Sequence, residues 1–296
     1  MPDRFTKISV IGAGRVGTAL ALKLRSRRYL ILSVVNQSKR SAQRSAKILK
    51  AQSYSDTSIN IDRESELIII ATPPQEIPNI VRTLTKHRSI NFQKTLIVHT
   101  SGVHSSKILE PLRKKGASIG ALHPIQTFPK SLSSRDALKN LKNIYYGIDA
   151  PPVDLPKVKS LVRMLGGNYI VIPEIKRALY HALCVFSSGY MVQLLSIIKE
   201  LSKQSSFPKP WYNIMGPLMN TSIRNAMETS PMASLTGPIM RGDSKTVKLH
   251  IKALKKYQPS SVKLYKTLGT ETTRLAYKNK LIIKSEYREL LKILSP

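Results

Sequence analysis

A glycine turn, Gly12-Ala13-Gly14-Arg15-Val16-Gly17, separates a short β-rich run from an amphipathic stretch, and it constrains the first domain more than any other feature. Gly12 suits a tight turn, Gly14 lets the backbone approach a pyrophosphate, and Gly17 permits close helix–strand contact. Together with the N–H groups of Arg15, Val16 and Gly17 at the start of the following helix, the turn forms a phosphate cradle. A dinucleotide site is therefore expected here, with Gly12, Gly14, Arg15, Val16 and Gly17 lining it.

Downstream of the turn, the pattern fits a doubly wound sheet. Residues 6–172 alternate strand-like and helix-like segments. Strands are expected at 7–11, 30–35, 67–71, 95–100, 118–122, 143–148 and 169–172. Helical periodicity is expected at 16–25, 41–50, 75–83 and 107–115. The wholly apolar run 67–71 is what a parallel strand covered on both faces requires. Such alternation predicts an α/β domain, a Rossmann parallel sheet with helices on both faces, over 1–172. Beyond Pro173 helical spacing takes over, at 174–203, 209–228, 243–256, 260–279 and 285–294, with one short β-like run at 281–284. An all-α C-terminal domain is therefore expected over 173–296, for substrate binding and dimerisation.

The end of the second strand bears on which dinucleotide binds. A carboxylate there accepts from the ribose 2′-hydroxyl of NAD. This chain instead reads Asn36-Gln37-Ser38-Lys39-Arg40. A hydroxyl and two cations suit a 2′-phosphate through charge-assisted hydrogen bonds, so NADP(H) is the expected cofactor. Ligands bind beyond the carboxyl ends of parallel strands. This adds Thr72, Pro73, Thr100, Ser101 and His123 to the expected lining.

Charge raises a second question. The chain carries 48 Lys and Arg against 17 Asp and Glu, a net charge of +31. These cations are spread along the sequence, and aromatics are 6% of it. A nucleic-acid partner is not expected on that distribution. Cys184 is the only cysteine, which excludes an intrachain disulfide framework and a cysteine-rich zinc site. No acidic residue neighbours His99, His104, His123 or His181 in sequence, so no metal is expected. The most apolar stretch, 178–198, is broken by His181, two serines, a glycine and Gln193, so a membrane span is not expected. Strand patterning begins within ten residues of Met1, and with the lone cysteine this favours a cytoplasmic protein without a leader.

The expected second domain opens with Lys176-Arg177-Ala178-Leu179-Tyr180-His181. Arg177, His181, Cys184 and Ser188 fall on one helix face. Leu179, Leu183, Phe186, Leu194 and Leu195 occupy the others, the pattern of a buried central helix.

Four further motifs, His99-Thr100-Ser101-Gly102, His123-Pro124-Ile125-Gln126-Thr127-Phe128, Tyr180-His181-Ala182 and Leu235-Thr236-Gly237-Pro238-Ile239-Met240-Arg241-Gly242-Asp243, join the glycine turn. The set resembles the Rossmann-like oxidoreductases that carry a helical C-terminal domain of unknown function. These are relatives of ketopantoate reductase, pyrroline carboxylate reductase and 6-phosphogluconate dehydrogenase.

The resemblance implies NADPH-dependent reduction of a small carbonyl, with 2-dehydropantoate reduction in pantothenate synthesis as the foremost case. It also implies a homodimer built through the helical domains. Imine reduction and a non-catalytic NADP(H)-binding regulatory role stay open. His181 is the foremost proton donor, since imidazole titrates near neutrality; Lys176 is second. Arg177 or Arg241 would hold a substrate carboxylate. Thr236 and Ser101 would hydrogen-bond the substrate, and Asp243 would either orient Arg241 or cap a helix. Two positions depart from the family pattern: Arg177 stands where Lys is expected, and Gly189 where Asn is expected.

Overall fold

Eight strands form one sheet in the computed structural model, which describes residues 6–129, 131–207 and 210–295. They are β1 (Lys7–Ile11), β2 (Leu30–Val35), β3 (Ser53–Ser55), β4 (Leu67–Ile70), β5 (Leu96–His99), β6 (Ser118–Pro124), β7 (Tyr145–Asp149) and β8 (Asn168–Val171). Their spatial order is β3-β2-β1-β4-β5-β6-β7-β8. Order reverses at β1, where β2 and β4 flank it, and there the carboxyl ends open a ligand crevice.

Alternation along β4 explains the layers. Leu67 and Ile69 join an apolar cluster with Leu20 and Leu24 of α1 (Arg15–Arg25) and Leu161 and Leu165 of α6 (Leu155–Leu165). Ile68 and Ile70 point to the other face, with Ile77, Val81 and Leu84 of α3 (Ile77–Thr85) and Leu112 of α4 (Glu110–Arg113). The helices α2 (Lys39–Leu49) and α5 (Ser134–Lys139) complete the first layer through Ala46, Leu49 and Ala137.

Two details depart from the sequence reading of this sheet. It is mostly parallel, but β7 pairs antiparallel to β6, placing Gly147 opposite His123, and β8 follows β7 in parallel. The loop from β6 returns through the short α5 instead of crossing over, so β7 enters from the opposite end. β3 was not anticipated: Ser53-Tyr54-Ser55 is three residues long and carries no apolar alternation.

The chain divides into two compact units, the first ending at Ser188 and the second beginning at Gly189. Beyond the sheet, α7 (Arg177–Val185) passes through a π-helical turn, Phe186–Tyr190, into α8 (Met191–Gln204). Then come α9 (Trp211–Glu228), α10 (Ser244–Tyr257), α11 (Val262–Lys278) and α12 (Lys284–Leu294). The first residues of the helix expected at 209–228 include 209, which lies outside the described residues. Val247 and Ile251 of α10, Ala276 of α11, and Leu290 and Leu294 of α12 form the core of the second unit with Ile239 and Ile282. Residues 281–284 are not a strand: Ile282 alone turns inward, and α12 starts at Lys284.

The helix expected to be buried is not. Leu179 is 71% exposed, Leu183 62% and Phe186 66%, while Arg177 and Tyr180 on the opposite face are buried. Apolar character on several faces was the basis for burial; the sheet instead takes the polar face. By length and composition the run Glu174–Gln204 also meets the criteria for a membrane-crossing helix, with a mean hydropathy of 1.5. Its polar residues are too few to offset the Leu, Ile and Val around them.

Candidate functional site

The glycine turn closes on itself at the end of β1. Gly12 N–H donates to Val35 O at 2.7 Å and Gly14 N–H to Gly12 O at 2.8 Å. Gly12 has φ +87°, and a Cβ there would lie 2.7 Å from Thr72 Cγ2 and 2.8 Å from the Ala71 carbonyl, so only glycine fits. At Gly14 a Cβ would meet nothing within 4 Å, leaving that side of the turn open to a ligand. Gly14 is the N-cap of α1 and offers no side-chain acceptor to the first-turn N–H groups around Val16 and Gly17.

Asn36 braces this turn. Its Oδ1 accepts from Ala13 N–H at 2.7 Å, and its Nδ2 donates to Ser45 Oγ at 3.1 Å, which in turn donates to Ala13 O. Asn36 was expected to contact the cofactor; most of its hydrogen-bonding capacity is spent on the turn. Beside it, a pocket of about 330 Å³ is bounded by Ile11, Val35 and Ile80, with Asp56, Thr72 and Glu76 among its polar residues. Thr72 Oγ1 is buried there without a partner. Pro73 begins the turn into a 3-10 segment, Pro74–Glu76, on the same side.

Next along the crevice, Ser38 caps α2 by accepting from Ser41 N–H at 3.3 Å. Lys39 and Arg40 open the helix and are exposed. Ser38 and Arg40, with Ser41, Arg44 and Lys47, line a shallow surface groove. The helix start and these cations create a positive field at its mouth.

A second constellation forms beyond β5 and β6. His99 is fully buried; its Nε2 donates to Ser105 O at 3.0 Å and its Nδ1 accepts from Ser101 N–H at 3.2 Å. That fixes the loop carrying Thr100, Ser101 and Gly102. Ser101 Oγ accepts from His104 N–H, and Ser101 O accepts from Arg177 Nη2 at 2.9 Å. Arg177 is 1% exposed, yet its Nε and Nη1 have no partner. A buried guanidinium with unpaired donors costs several kcal/mol, on the order of 1–3 per unmet group.

His123 Nδ1 lies 2.6 Å from the Tyr180 hydroxyl, with the rings edge to face. Burial, reinforced by the charge of Arg177 and by His181, lowers the His123 pKa to about 4, so the imidazole is neutral. Burial pushes the Tyr180 phenol up. The tautomer of the neutral imidazole sets which of the two donates, and the phenol also hydrogen-bonds the Cys184 thiol. His181 stacks edgewise on His123 at 6.2 Å. Two glycines make room: a Cβ on Gly102 would lie 2.6 Å from His181 Cδ2, and one on Gly147 would collide with the Tyr180 hydroxyl. Gly147 and the Tyr180–His123 pair were not anticipated; a glycine inside a strand is the signal that marks such an approach. Lys176, next to buried Arg177, is exposed.

Two family models cover most of the chain: one described as a Rossmann-like domain matches residues 2–124, and one described as a domain of unknown function, DUF2520, matches 144–272. The chain joins a Rossmann-like domain to a DUF2520 domain. The DUF2520 match begins inside the sheet, so β7 and β8 belong to it although they hydrogen-bond onward from β6. The Tyr180–His123 contact thus joins residues of both matched regions. No curated protein matches the sequence significantly. Solved structures share the fold. A provisional NADP oxidoreductase from Bacteroides fragilis aligns at TM-score 0.74 and 24% identity, over 89% of this chain and 96% of its own. A Thermotoga maritima protein aligns at 0.67 and 23%, over 92% and 99%. A 1-pyrroline-5-carboxylate reductase from Streptococcus pyogenes aligns at 0.59 and 16%, over 93% and 98%.

The remaining expected site residues lie in the helical unit of the DUF2520 domain. Thr236 is exposed before Gly237, and Arg241 ends a 3-10 turn, Ile239–Arg241. Asp243 caps α10: its Oδ1 accepts from Thr246 N–H at 3.0 Å and its Oδ2 from Thr246 Oγ1 at 2.6 Å. Among the described residues it forms no ion pair with Arg241, because both carboxylate oxygens are taken by the cap. No group of three or more His, Cys, Asp or Glu suited to a metal occurs among the described residues.

Proposed function

We propose that the chain is an NADP(H)-dependent oxidoreductase that reduces a small 2-keto acid, with 2-dehydropantoate as the foremost substrate. The observation that carries this reading is the glycine turn with an open side at Gly14, set next to the capped, cationic start of α2. Gly12, Gly14 and the first turn of α1 would hold the pyrophosphate, and the pocket between Val35 and Ile80 would take the adenosine. Ser38, Lys39 and Arg40 would receive the 2′-phosphate. The Bacteroides fragilis relative's description as an NADP oxidoreductase supports the same cofactor.

Bound NADPH supplies a hydride to the carbonyl carbon. The protein's share is to orient the acid and handle one proton. Arg177, with its unpaired Nε and Nη1, would take the substrate carboxylate. His181 would give a proton to the nascent alkoxide. His123, held neutral beside Tyr180, would offer the substrate a hydrogen-bonding group without adding charge. The run from Ile175 to Phe186, with α7 at its centre, leaves an apolar stripe exposed at Ile175, Leu179, Leu183 and Phe186, which supports association with a second copy of the chain.

Calorimetry with NADPH and NADH tests the cofactor; no binding of either at millimolar ligand ends the reading. Arg40→Asp should weaken NADPH far more than NADH, and an equal loss would remove the 2′-phosphate assignment. NADPH oxidation assayed with 2-dehydropantoate, other 2-keto acids and cyclic imines then tests the substrate; turnover of imines alone would replace the keto acid.

A further inference from the structure

The last three helices carry more than their share of the chain's cations. Residues 241–292 hold fourteen Lys and Arg and four Asp and Glu. On α10, Lys245, Lys248, Lys252, Lys255 and Lys256 recur at spacings of three and four, which places them along one exposed arc. Val247 and Ile251 occupy the opposite, buried side. A groove of about 310 Å³ beside this arc is lined by six residues, of which four are lysines: Lys248, Lys252, Lys255 and Lys266. The adjoining groove adds Lys263 and Arg274.

Little neutralises this surface. Lys248 pairs with Glu289 and Arg274 with Glu271, while Lys266 donates to the Ser295 carbonyl. The ammonium groups of Lys252, Lys255 and Lys263 have no hydrogen bond or ion pair among the described residues. Lysine is a strongly hydrated point charge, and five of them on one helix repel one another unless an extended anion lies across them.

We infer that the lysine arc of α10 docks the phosphate backbone of double-stranded DNA. Length and shape favour this polyanion. From Lys245 to Lys256 the helix rises about 16 Å, the axial length of about five base pairs. A helix about 10–12 Å across matches the roughly 12 Å major groove of B-form DNA, whereas the A-form groove is too narrow. Single strands are held by stacked aromatics, and the arc presents only Tyr257 at its end, with Lys256 over its ring. Recognition would be of the backbone alone, without base readout.

The experiment is fluorescence anisotropy of the full chain with a labelled 20-base-pair duplex across 50–200 mM NaCl. Four to five neutralised phosphates predict a log–log salt slope of about −4, a loss of roughly a few hundredfold over that range. Lys252→Glu with Lys255→Glu should flatten the slope by about 2 or more with unchanged circular dichroism. Lys114→Glu with Lys115→Glu makes the same charge change on the sheet unit and should leave the slope as it is. An equal effect of both pairs would reduce the binding to overall charge and overturn the assignment. Tighter binding to single strands, duplex RNA or phosphatidylserine vesicles, lost with the same α10 lysines, would also overturn it.

Discussion

The Tyr180 hydroxyl sits 2.6 Å from His123 Nδ1, and the strand residue opposite His123 is the glycine that leaves space for that hydroxyl. Three elements, β6, β7 and α7, therefore meet at one hydrogen bond. Tyr180→Phe removes it and frees the His123 tautomer. It is expected to lower kcat by about ten- to a hundredfold in the NADPH-linked assay, with NADPH affinity unchanged. Steady-state kinetics beside calorimetry decide this; unchanged kcat would make the pair purely structural.

Gly147→Ala addresses the same contact from the other side. The added methyl collides with the phenol, so Tyr180 or β7 must shift, at a cost of about 1–3 kcal/mol. Urea unfolding should show the loss, and combining it with Tyr180→Phe should recover part of it. Additive losses would mean the two residues do not share the space.

Arg177→Met removes a buried cation with two unpaired nitrogens and replaces it by an apolar chain. Stability is expected to stay within about 1 kcal/mol, since an unpaired buried charge is itself costly. KM for a 2-keto acid should nevertheless rise at least about tenfold. A variant with unaltered KM would show that the guanidinium has no anion to hold.

Burial of two imidazoles predicts an acid-sensitive fold. His99 and His123 both have pKa values lowered to about 4 from an ordinary 6.5. The folded state therefore binds fewer protons than the unfolded chain between these values. Their contribution is fully present above pH 6.5 and is lost as pH falls towards 4. At pH 4.5 each would have cost about 2–3 kcal/mol relative to pH 7. Urea midpoints measured from pH 7.5 to 4.5 check the direction, and a flat profile would contradict it.

Much of this architecture was legible in the sequence because local chemistry repeated the global answer. The glycine turn and the apolar run of β4 each follow from spacing alone, whereas the cap at Ser38 does not, since the helix was expected to begin at 41 and begins at Lys39. The reversal of β7 was not legible: its residues read as an ordinary strand, and direction depends on how the chain returns through α5. Nor was the orientation of α7, because two faces of that helix are apolar enough to bury. The partnership of Tyr180 with His123 spans 57 positions, a distance no periodicity connects. By sequence Asp243 suits both a cap and a partner for Arg241, and only the position of Thr246 separates the two.

Asn36 has a consequence for how this binding site can change. Its amide is a strut under the glycine turn, so its loss should harm both dinucleotides equally, and Asn36→Ala tested by calorimetry should show it. On the proposed reading, selectivity between them resides a few residues downstream at Ser38, Lys39 and Arg40, while Ser45 further along the same helix donates to the Ala13 carbonyl of the turn. On that reading grip and choice fall to different side chains, and a lineage could change its preferred coenzyme at Lys39 and Arg40 without disturbing the turn.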